Sequence, residues 1–278
     1  MKRATRVVMA KQTVEICDAG YYVARNGLRV NIGADLARAR DETILYSPEK
    51  QPASRQADRT RETRFEVRNE TAFEAIARLG AAGGHLGCLN FASAKNPGGG
   101  FLNGSLAQEE ALACASGLYP CLLAAPLYYE RNRAQRSALY LDLAIFSPLV
   151  PFFRDDAGEL LEKPILASVI TAPAPNAGAI AHNEPGNLRQ VEPTMQRRAE
   201  LVLNIASAHQ VDRLILGAWG CGVFRNDPRK VAAIFASLLK SPGKFAGAFT
   251  EVVFAVFDRS ESVETYRAFA DRFKGGEM

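Results

Sequence analysis

Two rhythms of apolar positions alternate along the chain. Short apolar runs at 63–67, 86–91, 141–146, 165–171, 214–218 and 251–257 read as strands, several of them without the polar alternation that a half-exposed strand shows. Between them, residues 71–79, 106–124, 189–208, 228–239 and 263–273 repeat apolar side chains every three or four positions, as one face of a helix does. This alternation predicts an α/β fold in which helices cover a largely buried sheet. Residues 151–162, with Asp155-Asp156-Ala157-Gly158 at the centre, read as a hairpin inserted before the next strand.

The first part of the chain has a different texture. Residues 5–18 read as a short helix, and 21–32 as two extended segments turning at Asn26-Gly27, a strong hairpin dipeptide. Residues 49–62 are polar and lack periodicity, so they read as an exposed connector. The expected organisation is an extension and connector, 1–62, packed on one larger domain, 63–278. For 278 residues, one decorated domain is preferred over two small ones.

Composition narrows the function classes. Apolar residues make up 47% and charged residues 23%, an ordinary globular balance that makes a folded chain, not a disordered one, the default expectation. The net charge of +4 mildly favours an anionic ligand, but no block of Lys and Arg points to duplex nucleic acid. Arg197 and Arg198 are read as solvated charges on an amphipathic outer helix. The cysteines Cys17, Cys88, Cys114, Cys121 and Cys221 include no CxxC pair, and His85, His182 and His209 are scattered. No metal and no cofactor are therefore expected, and the thiols are expected to be reduced. No apolar run reaches the roughly 18 residues of a membrane span, and no signal-like segment follows the Met-Lys-Arg start, so a cytoplasmic chain is expected.

The chemistry concentrates in two segments. The first is Asn90-Phe91-Ala92-Ser93-Ala94-Lys95-Asn96-Pro97-Gly98-Gly99-Gly100, followed seven residues later by Gln108-Glu109-Glu110. A glycine triplet between strand and helix is entropically expensive, which suggests close backbone approach to something; a plain flexible turn is the alternative. Glu109 and Glu110 would project about 100° apart from a helix start, where two acids can also do no more than complement the dipole. The second segment, Gly220-Cys221-Gly222-Val223-Phe224, runs from an apolar strand toward Asp227-Pro228, a plausible helix cap. Exposed N–H groups there, with a helix N-terminus, form an anion site, although Gly-x-Gly alone is weak and no dinucleotide or Walker A fingerprint is present.

Gly-Gly-Gly, seven residues, then Gln-Glu-Glu resembles the signature of the poly(ADP-ribose) glycohydrolases. The stretch from Asn90 to Gly104 is closest to their short bacterial and fungal type, and Ala10–Thr13, Gly20–Tyr22 and 217–224 are also similar, so the resemblance covers most of the chain. It implies a three-layer α/β/α macrodomain-like sandwich with a mixed sheet and an N-terminal helix and hairpin extension. It implies Glu110 as the catalytic acid, with Glu109 and Asn96 positioning the distal ribose. Gly98, Gly99, Gly100 and Gln108 would line the catalytic loop, with Asn90 a weaker candidate. Gly220, Cys221, Gly222 and Val223 would form the diphosphate loop, with Phe224 beside the distal ribose or, alternatively, in the core. Cys221 as a nucleophile is disfavoured because no His is placed to partner it.

The implied partners are poly(ADP-ribose), ADP-ribosylated proteins and ADP-ribose as product, handled by a monomer without membrane or duplex nucleic acid. Glu110 would protonate the departing 2′-oxygen and then activate water, cleaving from chain ends. A helix N-terminus favours carboxylate, so burial under substrate and the diphosphate charge have to oppose it. Two other readings share the pocket: a reader that binds ADP-ribose without turnover, and a hydrolase of mono-ADP-ribose.

Overall fold

The computed structural model describes residues 1–53 and 62–274; most of the connector expected at 49–62 falls on 54–61, outside the described residues. The chain opens with α1 (Arg3–Ala19), the hairpin β1 (Tyr21–Val23) and β2 (Arg29–Asn31), α2 (Gly33–Asp41) and β3 (Ile44–Tyr46). Then follow β4 (Arg64–Arg68), α3 (Ala72–Gly80), β5 (Leu86–Phe91), α4 (Gln108–Ala115), α5 (Leu118–Leu123) and α6 (Pro126–Ala134). The remainder is β6 (Ala144–Arg154), β7 (Leu160–Ala172), α7 (Ala177–Asn183), α8 (Leu188–Ala208), β8 (Arg213–Leu216), α9 (Pro228–Leu239), β9 (Glu251–Ala255) and α10 (Glu264–Phe273).

Seven strands form one mixed sheet in the order β3-β6-β7-β5-β8-β9-β4. From β7 to β4 all neighbours run parallel, while β6 pairs antiparallel with both β3 and β7. Side chains alternate between the two faces: Leu89, Leu214 and Val252 join the helices α8, α9 and α10, while Cys88, Ile215 and Val253 join α3, α4, α5 and α6. Burial on both faces explains why β5 and β9 read as continuous apolar runs. The fold is a three-layer α/β/α sandwich with a mixed sheet, the macrodomain-like arrangement that the resemblance implies.

Several details differ from the sequence reading. Ile44–Tyr46, within the stretch expected to be decoration, pairs with Ala144–Phe146 and forms an edge of the main sheet. The helix expected over 106–124 is two, because Ser116 turns its hydroxyl back to the Leu112 carbonyl (2.7 Å) and its backbone bridges Phe152. The hairpin at 151–162 is the tip of a longer one made by β6 and β7, turning at 155–159. Among the described residues, no helix is long and apolar enough to cross a membrane.

The largest correction concerns Arg198, expected to be solvated and found fully buried (0% exposed). Its guanidinium donates to Asp142 Oδ1 (2.9 Å) and to the carbonyls of Pro173 (2.9 Å), Leu139 and Tyr140. Residues 139–142 fold over the helix and supply the acceptors that let its apolar face hold a charge. Arg197, a position earlier, stays half in solvent on the other Asp142 oxygen (3.0 Å). Arg198 thus ties the end of β7 to the loop before β6. Arg198→Leu should lower stability by about 3–5 kcal/mol, because it leaves buried carbonyls and Asp142 unpaired. The check is the urea midpoint at unchanged m value.

Candidate active site

The parallel strands β7, β5, β8 and β9 all end at one edge, and the loops that follow β5, β7 and β8 meet there. Asn226 Nδ2 donates to Pro175 O (2.9 Å) and Gly220 O (3.0 Å), and Gly178 N–H donates to Phe224 O (3.0 Å). The crevice outside the carboxyl ends of such strands is where α/β sheets bind ligands.

Gln108 places α4 in this crevice. Pairing of β5 with β7 continues to Phe91, but pairing of β5 with β8 stops at Cys88. The Gln108 carboxamide serves the backbone groups beyond that point, accepting from Phe91 N–H (2.8 Å) and donating to Leu89 O (2.7 Å). Expected among the substrate-binding residues, Gln108 is found with both ends of its amide committed to the strand.

With that first turn fixed, the two acids part. Glu109 points inward, only 3% exposed, and accepts from Ser93 N–H (2.7 Å) and Asn90 Nδ2 (3.3 Å). Burial pushes its carboxyl up to about 8 against those hydrogen bonds, and the nearby Glu110 charge adds to the rise. Asn90 is fully buried behind it, with a second hydrogen bond to Thr171 (3.2 Å). Glu110 is half-buried at the loop, where Oε1 accepts from Gly100 N–H (3.0 Å) and Oε2 has no hydrogen-bond partner among the described residues.

The glycines explain how the loop comes so close. Gly99 has φ +60°, and a Cβ there would collide with Glu110 Oε1 and lie 3.1 Å from Glu109 Oε2. Gly98, at φ +67°, sits under the Phe101 ring, 3.0 Å from where its Cβ would be. The triplet is therefore the seat of both acids. Asn96 is exposed beside it, with its carbonyl accepting from Gly99 N–H (3.0 Å).

Across the crevice, Gly220 at φ +73° packs so tightly that a Cβ would lie 2.5 Å from Ala174 Cβ and 2.6 Å from Asn226 Nδ2. Gly222 is the reverse: an added Cβ would meet nothing within 4 Å. The N–H groups of Gly222, Val223 and Phe224 have no acceptor among the described residues, which leaves three consecutive backbone donors in this turn. The helix end itself offers less than the sequence suggested, because Asp227 already accepts from Arg229 N–H (2.9 Å) and Pro228 has no N–H. Val223 is 84% exposed, whereas Phe224 is half-buried with its ring 6.1 Å from Tyr140. Burial, aided by Asp227, pushes the Cys221 thiol up to about 12, which makes it a poor nucleophile.

Sequence reasoning missed Phe257. Taken there as strand, it stands half exposed just past β9 at the same edge, with the Arg259 guanidinium 4.5 Å from its ring centre. A large apolar residue running on past the buried strand was the available signal. A groove of about 310 Å³ between α7, α8 and α9 contains neither catalytic-loop acid; its one glutamate, Glu192, is paired with Lys230 (2.9 Å). Among the described residues, no group of three or more His, Cys, Asp or Glu side chains is placed to hold a metal.

The family model "Microbial-type PARG, catalytic domain" matches residues 10–155. The crystal structure of the poly(ADP-ribose) glycohydrolase from Thermomonospora curvata superposes with a TM-score of 0.91 at 47% identity, covering 97% of this chain and all of that one. The same enzyme bound to the inhibitor ADP-HPD gives 0.89 at 48% identity, again over 97% of this chain and all of that one. The enzyme from Deinococcus radiodurans in complex with ADP-ribose gives 0.80 at 46%, over 88% of this chain and 99% of that one. No curated protein matches the chain. By the family match, and by 47% identity across nearly its whole length to a solved member, the chain belongs to the microbial-type poly(ADP-ribose) glycohydrolases.

Proposed function

We propose that the chain hydrolyses the ribose–ribose O-glycosidic bonds of poly(ADP-ribose), releasing ADP-ribose from chain ends, with Glu110 as the group that moves the proton. The observation that carries this reading is the setting of Glu110: one oxygen held by Gly100 N–H, the other without a protein partner among the described residues, beside a buried second acid. Glu110 donates its proton to the departing 2′-oxygen as the C1″–O2′ bond breaks and an oxocarbenium-like centre forms at C1″. Water then adds to C1″ and returns a proton to Glu110.

Glu109 has a different part. Raised to about 8, it is mostly uncharged near neutral pH, so it adds little negative charge beside a dianionic ligand. Its role is to position the distal ribose, together with Asn96. The diphosphate lies on the N–H groups of Gly222, Val223 and Phe224, with Gly220 and Cys221 shaping the turn, and the half-exposed ring of Phe257 gives the adenine a stacking face on the side away from Arg259. ADP-ribosylated proteins carrying the polymer are the partners this implies.

Glu110→Gln keeps shape and the Gly100 hydrogen bond but cannot cycle a proton. Its turnover of poly(ADP-ribose) should fall by at least about 10²-fold with ADP-ribose affinity little changed, whereas Glu109→Gln should lose both rate and affinity. Near-normal turnover by Glu110→Gln would remove it from the mechanism. A wild type that binds ADP-ribose yet never cleaves polymer would instead be a reader.

The diphosphate loop is tested by two substitutions of opposite expectation. Gly222→Val fills open space, so it should fold normally yet bind ADP-ribose far more weakly, while Cys221→Ser should bind and turn over almost as wild type does. Calorimetric titration of both folded variants decides; the reverse pattern would overturn the assignment.

Glu109 also ties stability to pH. Its folded value of about 8 exceeds the ordinary 4.5, so its proton stabilises the fold fully below 4.5, and that contribution is lost as pH rises to 8. Glu109→Gln does not titrate, so its stability relative to wild type should climb across that window. Paired urea midpoints below 4.5 and above 8 test it; a constant difference would show that Glu109 titrates normally.

A further inference from the structure

α1 touches no reacting group, yet it grips the catalytic loop at its exit. Arg3 Nε donates to Asn103 O (2.9 Å) and Arg6 Nε to Gly104 O (2.8 Å), while Arg6 Nη1 closes on Met1 O (2.7 Å). The acceptors of the two Nε groups are loop carbonyls, 100 and 98 residues away in sequence. Gly104 adopts φ +73°, and a Cβ there would stand 2.7 Å from Arg3 O and 3.0 Å from Val7 Cγ2, so the helix backbone lies directly against the loop. Farther along α1, Ala10 packs with Phe101 and Ala113 in a small separate core, and Thr13 Oγ1 donates to Cys114 O (2.6 Å) near the end of α4.

These contacts bracket the hydrogen bond that holds Glu110. The loop between them is closed on itself: Asn103 and Ser105 N–H both donate to Gly100 O (3.0 and 3.1 Å), and Gly104 N–H donates to Phe101 O (2.9 Å). A shift of residues 103–104 is therefore passed to Gly100, held by its carbonyl, and its N–H on the adjoining peptide holds Glu110 Oε1. Both arginines lie ahead of residues 10–155, the part of the chain that the family model covers.

We infer that Arg3 and Arg6 are positioning residues for the hydrolysis, acting through the 100–104 turn to keep Gly100 N–H on Glu110; the inference rests on the role given to Glu110 above. Simple packing of α1 would give the same contacts but a different response to substitution. A positioning role acts on the chemical step and leaves the diphosphate loop, on the other side of the crevice, as it was.

The test uses the full chain with Arg6→Met, which keeps the packed stem and removes the donors, with the double variant Arg3→Ala/Arg6→Met, and with Arg6→Lys. For Arg6→Met, kcat on poly(ADP-ribose) should fall about 10- to 100-fold, as a misplaced catalytic group does, while ADP-ribose affinity and the thermal transition stay close to wild type. The double variant should fall further, and Arg6→Lys, which can still donate to the Gly104 carbonyl, should recover most of the rate. Hydrogen exchange of the Gly100 amide should accelerate in Arg6→Met and in the double variant, a readout that needs no turnover. Unchanged kcat in the double variant would overturn the inference, as would rate and affinity falling together or Gly100 exchange at the wild-type rate in Arg6→Met. If the wild type itself cleaves no polymer, the functional reading fails, and the exchange comparison still decides whether α1 sets the turn.

Discussion

Where β8 parts from β5, the Gln108 carboxamide takes over as the strand's hydrogen-bonding partner, and the geometry of the acids follows from that exchange of side chain for backbone. Two neighbouring parallel strands must separate if a ligand is to enter between their loops, and separation leaves peptide groups without partners. Unpaired peptide groups are costly once water is excluded. Gln108 satisfies them and in the same act bolts the first turn of α4 to the strand end. The helical advance of about 100° per residue then sends Glu109 into the interior and Glu110 toward the loop.

The two acids consequently differ by environment, although they are chemically identical and adjacent. Glu109 is surrounded by protein and made neutral by it; Glu110 is tied by one oxygen to Gly100 N–H and has no partner for the other among the described residues. The glycine triplet permits both, because at Gly99 any side chain would occupy the space of the carboxylates. Arg198 serves the opposite rim in the same spirit, using a buried cation to set the loop around Tyr140, which faces Phe224.

Much of this was legible in the residues. The alternating periodicities gave the α/β class, while the resemblance carried by the spacing from Gly98-Gly99-Gly100 to Gln108-Glu109-Glu110 implied the three layers and singled out Glu110 as the expected acid. What escaped depends on three-dimensional closure. Gln108 looks like a ligand-facing polar residue until the divergence of β8 is known. Arg198 shares its helix face with Met195, Leu201, Val202 and Ile205, but its charge argued against burial, and only the fold of 139–142 over it reveals its partners. Ile44–Tyr46 is too short a run to announce a sheet edge. Arg3 and Arg6 belong to an N-terminal helix with little amphipathic pattern, and their partners are carbonyls, which no sequence pattern marks.

The three consecutive donors have a consequence for how the site can drift. Gly222, Val223 and Phe224 offer their N–H groups, and a peptide N–H is the same whichever side chain its residue carries. At Val223, whose side chain stands in solvent, substitutions leave the chemistry of the loop untouched, while at Gly220 the packing of Ala174 and Asn226 admits no side chain at all. Tolerance along these residues is therefore uneven at single-residue resolution, a comb of free and forbidden positions. A recognition surface written in main chain conserves its shape more strictly than its letters.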